Sequence, residues 1–131
     1  MKQRRILIVE DNLLNRELLR DWLEVEGYEV WLAADLTASY EVFAKQVPDA
    51  VLLDINLGNE NGLALVAWMH EKPDTREIPV IAVTAHALVT EQQRILQAGC
   101  KACLSKPIEF ALLRQQLSHW LQDCTVSPSN P

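Results

Sequence analysis

The sequence predicts one α/β domain, a (βα)5 chain folded as a five-stranded parallel sheet with helices on both faces. Three observations predict it. Apolar runs of strand length recur five times along the 131 residues. Stretches with helical spacing separate them. The connections are short throughout, so each strand is expected to return by a right-handed crossover to lie parallel to the others.

The elements follow in order. Ile6 to Val9 reads as the first strand, and Leu14, Leu18, Trp22 and Val25 as the stripe of the first helix, with Gly27 beyond its end as a C-cap. Val30 to Ala33 is the second strand. Asp35 can cap a second helix carrying Leu36, Tyr40, Phe43 and Val47. Pro48-Asp49 breaks the chain before a third strand, Ala50 to Leu53, and Leu63 to Met69 forms a helix apolar nearly all round. Pro79 opens the fourth strand, Val80 to Val83. Thr90 to Ala98 is a weaker helix anchored by Ile95 and Leu96 and closed by Gly99. Ala102 to Leu104 is the fifth strand, and Phe110, Leu113, Leu117 and Leu121 line the fifth helix. No repeat or linker divides the chain. The domain is expected to span 1–124, with Thr125 to Pro131 a flexible tail or the start of a linker.

Composition narrows the function. Hydrophobic residues make up 49%, so a packed core is expected rather than disorder. A net charge of −6 argues against a phosphate-backbone binder, and the one basic cluster, Lys2 to Arg5, sits at a terminus. Nucleic acid is not an expected direct partner. No segment reaches the roughly 18 to 20 apolar residues of a membrane span, and the basic start lacks the apolar run of a signal peptide. The chain reads as cytoplasmic. Three cysteines, Cys100, Cys103 and Cys124, are too few for a disulfide framework.

In open parallel sheets, ligands bind beyond the carboxyl ends of the strands. Here strand one ends in Glu10-Asp11, strand three in Asp54, strand four in Thr84-Ala85 and strand five in Ser105-Lys106-Pro107. Three carboxylates, a hydroxyl and an ammonium therefore meet at one edge. A carboxylate at the end of the buried run "AVLLD" is costly unless paired. Crowded carboxylates repel, and a hard cation such as Mg2+ relieves that with oxygen ligands. Lys106 suits a phosphoryl oxygen or Asp54 itself, Thr84 can donate to a phosphoryl oxygen, and aspartate is a nucleophile toward phosphoryl groups.

The segments "ILIVEDN", "VLLDINLGNENG", "VIAVTAHA" and "CLSKPI" together resemble a response-regulator receiver domain, over roughly Arg5 to Gln122. Their spacing fits: Asp11 to Asp54 is 43 residues, Asp54 to Thr84 is 30, and Thr84 to Lys106 is 22. The resemblance implies a flavodoxin-like doubly wound sheet of order 2-1-3-4-5. It implies that Asp54 accepts a phosphoryl group from a phosphohistidine on a histidine kinase or phosphotransfer domain. Glu10, Asp11 and Asp54 would hold Mg2+ with the main-chain carbonyl of Asn56. Thr84 would be the switch hydroxyl and Lys106 the family's lysine, with a cis Lys106-Pro107 bond. Asn56 and His86 would occupy the two positions that tune loss of the phosphoryl group. "VEDNLLNRELL" and "TAHA" are closest to receivers of hybrid sensor kinases. Output would pass to a protein partner or to a further domain of a longer chain, since nothing after Asp123 could build a helix-turn-helix.

Two residues depart from the family pattern. Cys103 stands where a Tyr or Phe usually precedes the lysine by three, so coupling to the outer face should be weaker or carried by another group. Gly58 replaces a proline, so the loop after strand three should be more mobile. Other functions fit less well. Aspartyl-phosphate phosphohydrolases usually carry a second Asp two residues past the nucleophile, and Asn56 cannot shuttle a proton. The first turn, Glu-Asp-Asn-Leu-Leu-Asn, lacks the glycines of a dinucleotide binder. A scaffold that is never phosphorylated is disfavoured by the complete acidic set. Cys100-Lys101-Ala102-Cys103 spells a C-x-x-C but leads into a strand rather than a helix, so these read as loop and core cysteines. His86 reads as exposed loop, His70 and His119 as helix surface, and Trp22, Trp68 and Trp120 as core or interface.

Overall fold

The computed structural model describes residues 3–86 and 88–121. Cys124, the expected domain end at residue 124 and the 125–131 tail lie outside the described residues. Strands β1 (Arg5–Val9), β2 (Glu29–Ala33), β3 (Ala50–Asp54), β4 (Val80–Thr84) and β5 (Ala102–Ser105) form one parallel sheet in the order β2-β1-β3-β4-β5. This is the expected topology. Each strand runs one residue past the apolar stretch that announced it, at one end or the other. Asp54 therefore sits on the ladder opposite Val83, and Thr84 opposite Ser105.

Helices α1 (Leu13–Val25), α2 (Leu36–Lys45), α3 (Leu63–His70), α4 (Val89–Gln97) and α5 (Phe110–Trp120) cover the sheet. Side chains alternate across a strand, and the two faces make two cores. Leu7, Val9, Val51, Leu53, Val80 and Ala82 pack with residues of α2, α3 and α4. Ile6, Ile8, Ala50, Leu52, Ile81 and Val83 pack with Leu19 and Leu23 of α1 and Leu113 and Leu117 of α5. The central strands are thus buried on both faces, which explains their unbroken apolar runs.

The local signals mostly act where expected. The Asp35 carboxylate accepts the Ala38 N–H at 2.8 Å and caps α2. Gly27 follows α1 at φ +101, and Gly99 follows α4 at φ +120. Three helix faces differ from expectation. In α1 the inward residues are Leu19 and Leu23, while Leu14, Leu18 and Val25 are 75%, 56% and 84% exposed and only Trp22 of the expected stripe is half-buried. In α4 Ile95 is buried and Leu96 points out. Val47 lies past the end of α2 and is exposed.

The tryptophans pack rather than line a ligand site. Trp68 meets Tyr40 and Phe43 at ring-centroid distances of 5.0 and 5.4 Å. Trp120 donates to Gln116 at 3.0 Å, and His119 and His70 are on exposed helix surface. Trp22 contributes to a clamp between α1 and α5. It stacks on Phe110 at 4.8 Å, and the Arg114 guanidinium lies 5.5 Å from its ring centroid. The same guanidinium forks onto both carboxylate oxygens of Glu26, each at 2.9 Å.

Candidate functional site

The site is assembled at the carboxyl edge of the sheet. β1 is prolonged by a bond from the Glu10 N–H to the Ala33 carbonyl, 3.0 Å, which carries Glu10 to the rim. The chain then turns into α1, where the Asn12 side chain accepts the Asn15 N–H at 3.0 Å as the N-cap. β3 delivers Asp54 directly. β5 delivers Lys106, whose own N–H bonds the Thr84 carbonyl at 2.9 Å and whose bond to Pro107 is cis.

One carboxylate oxygen each from Glu10, Asp11 and Asp54 lie within 4.8 Å of one another. Glu10 and Asp54 are each 3% exposed, and Asp11 opens to solvent. The Lys106 ammonium donates to Asp54 Oδ2 at 2.8 Å and stands 3.6 Å from Glu10 Oε1. The Asn56 N–H donates to Asp54 Oδ1 at 2.9 Å, and the Asn12 N–H to Glu10 Oε2 at 3.1 Å.

Electrostatics follow from that packing. Burial pushes the Glu10 carboxyl above its usual range, and the charge of Asp54 adds to it against the Asn12 N–H and Lys106. Burial alone would lower the Lys106 ammonium, but its bond to Asp54 and the two neighbouring negative charges outweigh that and raise it. One ammonium thus serves two buried carboxylates, with a third nearby. The donor set fits Mg2+: the three converging carboxylates are hard oxygen donors, and the exposed side of Asp11 leaves room for water and a phosphoryl oxygen.

The remaining expected residues surround this cluster without all entering it. Thr84 is fully buried, and its hydroxyl oxygen accepts the His86 N–H at 3.1 Å. Asn56 and His86 expose their side chains at the rim. Cys103 is half-buried against the α2–α4 core, and burial followed by the charge of Glu91 raises its thiol. On the sheet it stands opposite Ala82, two residues before Ser105 at the strand end. Cys100 is free and buried, its thiol pushed up to about 12, as suits a core cysteine.

The segment after Asp54 is an antiparallel hairpin rather than an open loop. Asn56 pairs with Asn61 and Leu57 with Glu60. Gly58 turns it at φ +58, which a proline, locked near −65°, cannot adopt. Its tip stands over the cluster: a Cβ on Gly58 would lie 3.6 Å from Asp11 Oδ2.

Three contributors went unnoticed in the sequence. Gly62 is buried against the Asp54 carbonyl, with no space for a Cβ. Arg16 holds the Glu10 and Asp11 carbonyls. Asn12 caps α1 and ties Glu10. Only Asn12 carries a readable signal, a capping residue just before an apolar-periodic stretch. Beside the cluster, a groove of about 530 Å3 runs between α1 and the β5–α5 connection, lined by Leu18, Leu19, Lys106, Pro107, Ile108 and Phe110 among others.

Comparison with known proteins agrees with this geometry. Residues 6–118 match the family model for the response regulator receiver domain. The polar-differentiation response regulator DivK of Brucella anthropi is 38% identical over 118 residues, which is 90% of this chain and 96% of that protein. The receiver domain of a Pseudomonas aeruginosa sensor histidine kinase, solved with magnesium coordinated in its active-site cleft, is 33% identical, with a TM-score of 0.83 over 93% of this chain and 100% of that one. The signal receiver domain of a histidine kinase from Syntrophus aciditrophicus is 27% identical, with a TM-score of 0.83 over 98% of this chain and 97% of that one.

Proposed function

Because the chain belongs to the response regulator receiver domain family and is a phosphoacceptor signalling domain of two-component systems, we propose that Asp54 is the residue phosphorylated and that Glu10, Asp11 and Asp54 hold the Mg2+ this requires. The observation that carries the reading is the position of Asp54. It is a buried carboxylate bridged to Lys106 at 2.8 Å and crowded by two more carboxylates. Such an arrangement is costly for stability alone. It is well suited to receiving a phosphoryl group.

An Asp54 carboxylate oxygen attacks the phosphorus of a phosphohistidine. The new O–P bond forms as the N–P bond breaks, and the electron pair returns to the imidazole. Lys106 steadies the carboxylate beforehand and the added negative charge afterwards. Glu10, Asp11 and Asp54, with the main-chain carbonyl of Asn56, would hold Mg2+, which when bound would neutralise charge on the phosphoryl oxygens. Thr84 is the switch hydroxyl: its oxygen accepts the His86 N–H, and its own O–H would donate to the phosphoryl group. Asn56 and His86, exposed at the rim, tune the access of water. The domain is an acceptor whose surface changes on modification, not a turnover enzyme, and it occupies 1–124.

The donor is a histidine kinase or a phosphotransfer domain. The groove beside Lys106, walled by Leu18, Ile108 and Phe110, suits the apolar flank of the helix that carries the phosphohistidine. The exposed Leu14 extends that surface. Output passes to a downstream protein or a further domain in the cytoplasm, with no direct contact to nucleic acid or membrane. Among the described residues, no helix is long and apolar enough to cross a bilayer.

Intact-mass measurement after treatment with acetyl phosphate tests the assignment. Wild type should gain one phosphoryl group only with Mg2+ present, Asp54→Asn none, and Lys106→Ala much less. Wild type that gains nothing with Mg2+ present overturns it in favour of an unphosphorylated scaffold.

A further inference from the structure

Two of the three clustered carboxylates are tied down directly. Asp54 is held by Lys106 and the Asn56 N–H, and Glu10 by the Asn12 N–H with Lys106 alongside. Asp11 differs. Its carboxylate is exposed and accepts no hydrogen bond among the described residues. What the fold fixes for Asp11 is therefore its backbone, from which the side chain departs, and that backbone is held by Arg16. A single guanidinium nitrogen, Nη1, donates to the Glu10 carbonyl at 3.0 Å and to the Asp11 carbonyl at 3.2 Å. Arg16 is itself anchored one turn into α1, where its N–H bonds the Asn12 carbonyl at 3.0 Å. The helix start and both acidic peptides are thereby made one unit.

We infer that Arg16 is a positioning residue for metal binding, fixing the peptide planes of Glu10 and Asp11 so that the Asp11 carboxylate stands toward Glu10 and Asp54. The inference rests on the Mg2+ reading above. Charge and geometry here predict opposite signs. A guanidinium beside a divalent-cation site repels the ion, so on charge alone removing it tightens binding. Losing the hold on Asp11 weakens binding, as loss of a group that orients a metal ligand does.

Calorimetric titration of the unphosphorylated full chain with MgCl2 decides between them, using wild type, Arg16→Met and Arg16→Lys. Arg16→Met should bind Mg2+ about tenfold more weakly, the lower end of what loss of such an orienting group costs. Arg16→Lys keeps the charge and a donor nitrogen but on a shorter side chain that reaches the two carbonyls less well, so it should fall between wild type and Arg16→Met. Arg16→Met that binds Mg2+ as tightly as wild type, or more tightly, overturns the inference while leaving the metal site standing. A lowered unfolding temperature with unchanged Mg2+ affinity does the same. If Arg16→Met does not fold, Arg16→Lys carries the test: equal affinity overturns the role and weaker affinity supports it. Wild type that binds no Mg2+ removes the metal reading, and this inference with it.

Discussion

Replacing Gly62 with alanine tests how tightly the phosphoacceptor strand is boxed in. Gly62 has φ −58 and ψ −24, an ordinary helical conformation, so alanine carries no backbone penalty there. On chain entropy alone the change should stabilise the fold by about 0.4–1 kcal/mol. Sterically it should not. The new Cβ would stand 2.6 Å from the Asp54 carbonyl oxygen, 3.1 Å from Ile55 Cα and 3.2 Å from Leu53 Cδ1. Two of those three atoms are main chain of a segment that cannot yield easily. Ile55 N–H is bonded to the Val83 carbonyl at 3.0 Å, and Gly62 N–H to the Ile55 carbonyl at 2.8 Å. Overpacking of this kind costs about 1–3 kcal/mol, leaving a net loss of about 1–2 kcal/mol. Urea unfolding measures it directly, and a fall in unfolding temperature of about 4–8 °C should accompany it. Because the displaced peptide carries Asp54, phosphorylation by acetyl phosphate should slow as well. A Gly62→Ala protein at least as stable as wild type and phosphorylated at the same rate would refute the reasoning.

Two further expectations concern the helices and the thiols. Leu23→Ala should cost about 2–4 kcal/mol in urea unfolding, since Leu23 is fully buried, while Leu14→Ala and Val25→Ala should stay within about 0.5 kcal/mol; the reverse order would restore the stripe that periodicity suggested. With Cys124 changed to Ser, alkylation of folded protein should be slow at Cys100 and climb about tenfold per pH unit through the mildly alkaline range without levelling, because burial pushes that thiol up to about 12. A plateau in its rate near pH 9 would show an ordinary thiol, and urea should abolish the protection.

The strands were legible because a sheet covered on both faces needs unbroken apolar runs, and Ala50 to Leu53 or Val80 to Val83 leave no other reading. The carboxyl-edge cluster was legible for a related reason: each charge sits immediately after such a run, and parallel strands bring their ends together. The face of α1 was not. Leu13, Leu14, Leu18, Leu19, Trp22, Leu23 and Val25 contain two overlapping helical stripes, and spacing cannot choose between them. The sheet chooses, by which stripe meets Ile6 and Ile8. Ile95 and Leu96 pose the same problem in miniature. Arg16 acts through carbonyls that every residue possesses, so its role leaves no signature in residue type, and Gly62, though it closes the segment "VLLDINLGNENG", acts through an atom it lacks. The hairpin after Asp54 shows a third kind of difficulty. A glycine in place of proline suggested looseness; the structure adds that its positive φ is what closes the turn.

The clamp that joins the far end of α1 to α5 has a consequence for recognition. Glu26, Arg114, Trp22 and Phe110 fasten the two helices that wall the proposed donor groove. A slot whose walls are fastened at one end resists widening there, modestly, since the ion pair of the clamp is exposed. If that groove is where the donor docks, fidelity would come by exclusion: a cognate helix would find a mould already cast and forfeit little freedom on entering, while one that is too broad would be turned away before any chemistry begins. Crosstalk between parallel pathways would then be governed by fit at the moment of encounter, and loosening the bolt would make the domain a less discriminating listener without altering a single atom at Asp54.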